Sequence, residues 1–78
     1  MTVHVEVLGF ECSTCRTAFE RIGAVARELG VPIHLEKVSD PARIAAYRVL
    51  AVPGVAVDGV LVHSGGVPDR KRIAEWLT

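Results

Sequence analysis

The sequence predicts an α/β domain whose seven elements follow the order β-α-β-α-β-β-α. Three patterns carry this prediction: apolar alternation in Thr2–Leu8, a helical stripe that begins at the two cysteines, and an Asp58-Gly59 turn between Val-rich runs. A chain of 78 residues has room for one small hydrophobic core. We therefore expect a single domain over residues 1–78.

The first half of the chain predicts a strand, a helix and a second strand. Val occupies alternate positions of Thr2–Leu8, which is the period of a strand. After Gly9, apolar residues recur at steps of four and three, the period of an amphipathic helix, and Gly30 should end that helix. The predicted buried stripe is Cys15, Phe19, Ile22, Ala26 and Leu29. Val31–Val38 alternates again, so we expect a βαβ unit with a right-handed crossover.

The second half predicts a short helix, a hairpin and a final helix. Asp40-Pro41 is typical of a helix N-terminus, and that helix must end before Pro53. Asp58-Gly59 between Val-rich runs predicts a tight hairpin. Gly65-Gly66 then leads into a helix over Pro68–Leu77. The residues expected to pack inward from the two helices are Ile44, Tyr47, Ile73, Trp76 and Leu77.

The two cysteines, Cys12 and Cys15, have the spacing C-x-x-C. In a reducing cytosol such a pair is more often catalytic or metal-binding than a structural disulfide. Cys12 falls at the N-terminal edge of the predicted helix, where unpaired N–H groups and the helix dipole stabilise the attacking thiolate. Cys15 lies one turn later on the buried stripe. We predict that Cys12 attacks a disulfide and that Cys15 resolves the mixed disulfide.

The alternative for a C-x-x-C pair is half of a zinc site, which needs two more ligands. The candidate ligands are His4, His34 and His63, which fall on three different predicted strands without an H-x-x-x-H spacing. We expect each histidine to be exposed or hydrogen-bonded. The sequence therefore predicts no metal ion and no cofactor.

A proline precedes the predicted hairpin, in the run Val52-Pro53-Gly54. Proline is tolerated at the start of a strand because its missing N–H need not join the ladder. One interpretation is that it only terminates the helix before it. The other is functional and depends on the family that the chain resembles.

The runs Val7–Cys15 and Ala51–Gly59 resemble the small prokaryotic glutaredoxin-like thioredoxins called redox-active disulfide proteins. The similarity spans the whole chain. It implies a minimal thioredoxin fold, with a four-stranded mixed sheet in the order 2-1-3-4 and helices on both faces. In that fold the first and last helices share one face and the middle helix covers the other.

The resemblance also implies a site. Cys12 is the nucleophile, Cys15 is the resolving thiol, and Pro53 is a cis-proline facing them. The backbone of Val52 would then receive a substrate strand, since only X–Pro bonds adopt the cis form at low cost. The chain lacks the Trp and the Gly-Pro that ordinary thioredoxins carry around their first cysteine. Glu6 is the nearest counterpart of their buried acid.

Two other functions compete with this one. The pattern from Val5 to Cys15 also resembles copper or mercury chaperones, which hold a soft ion between two thiolates. Phe10 stands where that family usually has Met, and that family ends on a strand, whereas Pro68–Leu77 predicts a helix. An interaction module with incidental cysteines would explain neither the placement of Cys12 nor Pro53.

Charge and hydropathy limit the partners. Nine basic and nine acidic side chains cancel, which argues against nucleic-acid binding, and Arg70-Lys71-Arg72 is expected to be a solvated helix face. No signal peptide is evident, and no segment approaches the ~20 apolar residues of a membrane span. We expect a cytoplasmic monomer that reduces disulfides of proteins or small molecules. Its reductant would be a thioredoxin-reductase-like protein or another thiol.

Overall fold

A computed structural model describes residues 2–10, 13–49 and 51–78 of the chain. The observed order is the predicted β-α-β-α-β-β-α. The elements are β1 (Val3–Leu8), α1 (Ser13–Leu29), β2 (Ile33–Val38), α2 (Pro41–Ala46), β3 (Gly54–Val57), β4 (Val60–Ser64) and α3 (Arg70–Leu77).

The four strands form one mixed sheet in the order β2-β1-β3-β4, as the minimal thioredoxin fold requires. β1 and β2 are parallel, with Val3 paired to Ile33 and Leu8 to Val38. β3 is antiparallel to both β1 and β4. The ends of β1 and β2 and the start of β3 therefore meet at one edge of the sheet.

The sheet separates two hydrophobic clusters, so helices cover both of its faces. On one face, α1 and α3 pack on alternate residues of β1 and on β3; this cluster contains Val5, Val7, Ala18, Ile22, Val25, Ala26, Val55, Ile73 and Leu77. On the other face, α2 packs through Ile44 on Leu8, Val38 and Ala56. The small α2 leaves part of this second face to polar side chains.

The region after α1 differs from the sequence prediction in two ways: Val31 lies outside β2, and Leu29 is not buried. Gly30 adopts a left-handed φ of 69°, and the N–H groups of Gly30 and Val31 bond to Arg27 and Ala26. This is a Schellman cap, and it keeps Val31 out of β2. Leu29 is 44% exposed rather than buried, because the chain turns at Gly30 and Val31 packs on the core instead.

The hairpin and the start of α2 follow their predicted signals, and α3 begins at a cap that was not among them. Asp58 and Gly59 both have positive φ, 49° and 84°, as a type I′ turn requires. Asp58 also bonds back to β1: its N–H donates to the His4 carbonyl at 2.8 Å, and its side chain accepts from the His4 N–H at 3.0 Å. Asp40 and Asp69 cap α2 and α3 with their side chains.

The final element is the predicted helix, and Arg70-Lys71-Arg72 lies exposed on it. Within the described part of the chain, no helix has both the length and the apolar content needed to cross a bilayer.

Candidate functional site

The thiol of Cys15 lies against the backbone of Gly9. Cys15 is in the first turn of α1 and is 1% exposed, and Gly9 directly follows β1. A Cβ placed on Gly9 would stand 2.8 Å from the Cys15 Sγ, closer than such atoms come in proteins. The Gly9 N–H donates to the Val38 carbonyl at 2.9 Å, which fixes this backbone to the end of β2. The Cys15 sulfur can lie this close to the backbone only because Gly9 has no side chain.

Val52 contacts the same point of Gly9. The same Cβ would lie 3.3 Å from the Val52 Cβ and 3.5 Å from its Cγ1. The Val52–Pro53 peptide bond is cis, the conformation that the sequence resemblance implied for it. The fold therefore brings Cys15 and Val52, which are distant in sequence, together across Gly9.

Cys12 lies outside the described residues, so its predicted position at the start of the helix stays a prediction. By sequence it precedes α1, whose first residue is Ser13, and it is three residues from the buried Cys15.

Several interactions hold the segment that carries Val52 and Pro53. The Pro53 carbonyl accepts from the Gly65 N–H at 2.9 Å, and the Ser64 hydroxyl donates to the Ala51 carbonyl at 3.4 Å. Pro53 itself is fully buried. The end of β4 thus fixes the chain that leads into β3.

Two large apolar side chains are exposed near this contact: Phe10 follows Gly9 in the sequence, and Val52 packs against it. Phe10 is 53% exposed and Val52 is 42% exposed, and they rank among the few large apolar side chains that the described residues leave in solvent. Among the described residues, the backbone N–H and C=O of Val52 have no hydrogen-bond partner. An extended peptide could bond to these two groups beside the buried thiol.

A polar network lies between α2 and the sheet. Its central residue is Glu6, which is on β1, three residues before Gly9. The Glu6 carboxylate is buried, forms an ion pair with the Arg43 guanidinium and accepts from the Tyr47 hydroxyl at 2.6 Å. Arg43 also reaches Glu36 at 3.5 Å. The hydrogen bond to Glu6, followed by partial burial, raises the pKa of Tyr47 above its ordinary value. These bonds attach α2 and Tyr47, the residue that follows it, to the sheet.

Sequence reasoning identified part of this arrangement. It named Cys15, Val52 and Pro53, and it singled out Glu6 as a buried acid, which it is. It missed Gly9 as the contact point, although a glycine between a strand and a cysteine-bearing helix is a usable signal. It also missed the bonds from Arg43 and Tyr47 to Glu6, which no local pattern reveals.

A buried thiol, a second cysteine three residues earlier in the sequence and an adjacent unpaired backbone are suited to the exchange of disulfides. Comparison with known proteins also indicates disulfide exchange. A family profile described as a thioredoxin domain matches residues 2–78.

Curated archaeal proteins are similar over nearly the whole chain. A thioredoxin of Methanocaldococcus jannaschii is 35% identical over 75 residues, which cover 96% of this chain and 86% of that protein. A thioredoxin of Methanothermobacter thermautotrophicus is 28% identical and covers 95% of this chain and 96% of its own length. A probable thioredoxin of the same organism is 33% identical, covering 99% of this chain and 94% of its own.

Proposed function

This chain belongs to the thioredoxin domain family and is a thiol–disulfide oxidoreductase, and we propose that its reaction runs through Cys12 and Cys15 beside a substrate-binding Val52-Pro53 turn. The observation that carries this proposal is that Cys15 and Val52 both lie against the position that a Cβ on Gly9 would occupy. It sets a buried thiol next to an unpaired backbone segment.

The two cysteines have different roles. The Cys12 thiolate attacks one sulfur of a substrate disulfide; the substrate S–S bond breaks, a mixed disulfide forms, and the other substrate sulfur leaves as a thiolate. Cys15, after loss of its proton, attacks the Cys12 sulfur and releases the second substrate thiolate. The substrate gains two electrons and two protons, and the enzyme loses them as its dithiol becomes a Cys12–Cys15 disulfide.

Val52 positions the substrate. Its backbone N–H and C=O can pair with an extended segment on one side of the substrate cysteine, as strands add to a sheet edge. The exposed Val52 side chain and that of Phe10, which follows Gly9 in the sequence, supply apolar contact area for the substrate.

The partners are a disulfide substrate and a thiol reductant. We propose disulfides of proteins or small molecules as substrates, with a thioredoxin-reductase-like protein or another thiol returning the enzyme to its dithiol form. The chain would act as a monomeric single domain in the cytoplasm. Its reduction potential should lie within several tens of millivolts of about −270 mV, or of the glutaredoxin range.

The test follows reduction of a protein disulfide by dithiothreitol, with and without the chain. Cys12→Ser should abolish the acceleration, whereas Cys15→Ser should accumulate a mixed disulfide at Cys12 that mass spectrometry detects. Thr17→Ala, an exposed position on the same helix, is the control and should keep wild-type turnover.

The soft-metal chaperone is the alternative that this experiment must exclude. The C-terminal helix α3 counts against it, because the chaperone pattern ends on a strand. Tight stoichiometric binding of Cu(I), together with no turnover of any disulfide, would overturn the oxidoreductase assignment of Cys12 and Cys15.

A further inference from the structure

A second group of chemically active side chains lies on the α2 face of the sheet, away from Cys15. His4 pairs with His34 and Glu6 with Glu36 across the parallel strands β1 and β2. Residues two apart on a strand point to the same face, so the four side chains form two adjacent rows. Two imidazoles and two carboxylates thus share one patch of the sheet.

The ligand atoms of this patch are close together. One nitrogen of His4 and one carboxylate oxygen each from Glu6 and Glu36 lie within 4.8 Å of one another. The His4 Nε2 is 3.6 Å from the Glu36 Oε2. The His34 ring stands edge-on to that of His4, with 5.0 Å between the ring centroids.

We propose that His4, Glu6 and Glu36 form a binding site for a divalent transition-metal ion beside the His34 ring, with zinc the expected ion. Imidazole nitrogen and carboxylate oxygen are ligands that zinc takes at about 2.0–2.2 Å. Tetrahedral ligands at that range lie roughly 3.3–3.6 Å apart, so small rotations bring these atoms into place. The His4 and Glu36 side chains are 47% and 35% exposed and are able to make those rotations.

Tyr47 supplies the support that a metal-binding carboxylate needs. Its hydroxyl donates to the Glu6 Oε1 at 2.6 Å, which orients the carboxylate and leaves the Glu6 Oε2 directed at Arg43. Outer hydrogen bonds of this kind orient metal ligands and tune the affinity of the site.

Arg43 is the competitor for the position that the ion would take. Its guanidinium contacts the Oε2 atoms of both Glu6 and Glu36, so it serves as their counter-charge. The Arg43 side chain is 47% exposed and can swing into solvent when an ion replaces it. Removing its charge should therefore strengthen metal binding.

This site is separate from Cys15, whose sulfur lies against Gly9. Glu6 is three residues before Gly9 on β1, a rise of about 10 Å along a strand. His63, the third histidine, lies on β4, where its Nε2 is 2.9 Å from the Gly66 carbonyl. It provides a matched control.

The experiment adds ZnCl₂ to the wild-type chain and follows the side-chain imidazole resonances by NMR. The His4 and His34 resonances should shift and the His63 resonances should not. Calorimetric titration of zinc into a Cys12→Ser/Cys15→Ala variant then measures this site without the thiols. His4→Ala should weaken zinc binding at least about tenfold, His63→Ala should leave it unchanged, and Arg43→Gln should tighten it.

Three results would overturn the proposal. The first is zinc binding that shifts no His4 or His34 resonance in the wild-type chain. The second is an affinity that His63→Ala lowers as much as His4→Ala does. The third is a weaker zinc affinity in a folded Arg43→Gln variant, since this would make Arg43 a supporting group rather than the competitor of the ion.

Discussion

The Cys15 sulfur and the Cα of Gly9 approach so closely that a Cβ on Gly9 would stand 2.8 Å from the sulfur. Cys15 is buried, so its sulfur has little room to move away. Val52 restricts the other side of the same position, at 3.3 Å. Glycine at position 9 is therefore a requirement of the packing in the candidate site.

The first prediction concerns Gly9→Ala. The added methyl group must displace the Cys15 sulfur or the Val52 side chain, which should lower the free energy of unfolding by about 1–3 kcal/mol. The same displacement should slow disulfide reduction. Urea unfolding and turnover of a protein disulfide measure the two effects.

Gly23→Ala is the matched control. Its new Cβ would meet the Leu35 Cδ2 at 3.5 Å, an ordinary contact, and Gly23 lies inside α1. We expect Gly23→Ala to stabilise the chain by up to about 1 kcal/mol and to leave turnover unchanged. Equal behaviour of the two variants would contradict the role assigned to Gly9.

The element order was predictable because each element has a local signal. Asp40-Pro41 caps α2 and Asp58-Gly59 forms the hairpin tip, as their dipeptides indicate. Errors occurred where tertiary packing decides. Leu29 has the right spacing for the buried stripe, yet the chain turns away at Gly30 and leaves Leu29 exposed.

The candidate site was predictable in its cysteines and its proline but not in the groups around them. Glu6 is 37 residues from Arg43 and 41 from Tyr47. A single charged residue in a Val-rich strand indicates that something pairs with it. Which side chains pair with it depends on how α2 packs on the sheet, and no sequence spacing gives that.

A second prediction tests the Glu6 network. Glu6→Gln keeps the side-chain size but removes the charge that holds Arg43, so we expect a loss of about 1–3 kcal/mol of unfolding free energy. Glu36→Gln removes a more exposed partner of the same guanidinium and should cost less than about 0.5 kcal/mol. Urea unfolding in the presence of a chelator compares them. Equal losses of unfolding free energy in Glu6→Gln and Glu36→Gln would show that burial does not make the Glu6 charge more important than the exposed one.

A third prediction concerns the order of alkylation of the thiols. Cys15 is 1% exposed beneath Gly9, so a reagent reaches it only when α1 or its surroundings open. In the reduced chain, limiting iodoacetamide should label Cys12 first, and peptide mass spectrometry locates the label. Labelling of Cys15 at the same rate as Cys12 would contradict the assignment of Cys15 as the shielded, resolving thiol.

The fourth prediction is a pH dependence that belongs to Tyr47. The pKa of Tyr47 is raised in the folded chain, chiefly by the hydrogen bond that it donates to Glu6. In the unfolded chain its phenol titrates near its ordinary value of about 10. Between that value and the raised one, the folded chain holds a proton that the unfolded chain has lost. The contribution of Tyr47 to the free energy of unfolding should therefore be fully present and independent of pH below about pH 10, and should be lost as the pH rises further.

Tyr47 is the only tyrosine in the chain, so its phenolate absorbance follows this titration directly. Tyr47→Phe should be less stable than wild type at neutral pH, by about 1 kcal/mol, because the Glu6 carboxylate loses a donor. Above pH 10 the difference between the two proteins should shrink, since only wild type loses the Tyr47 contribution, while the lysines titrate in both. A stability difference that stays constant through the alkaline range would show that Tyr47 packs beside Glu6 without its proton being held by that carboxylate.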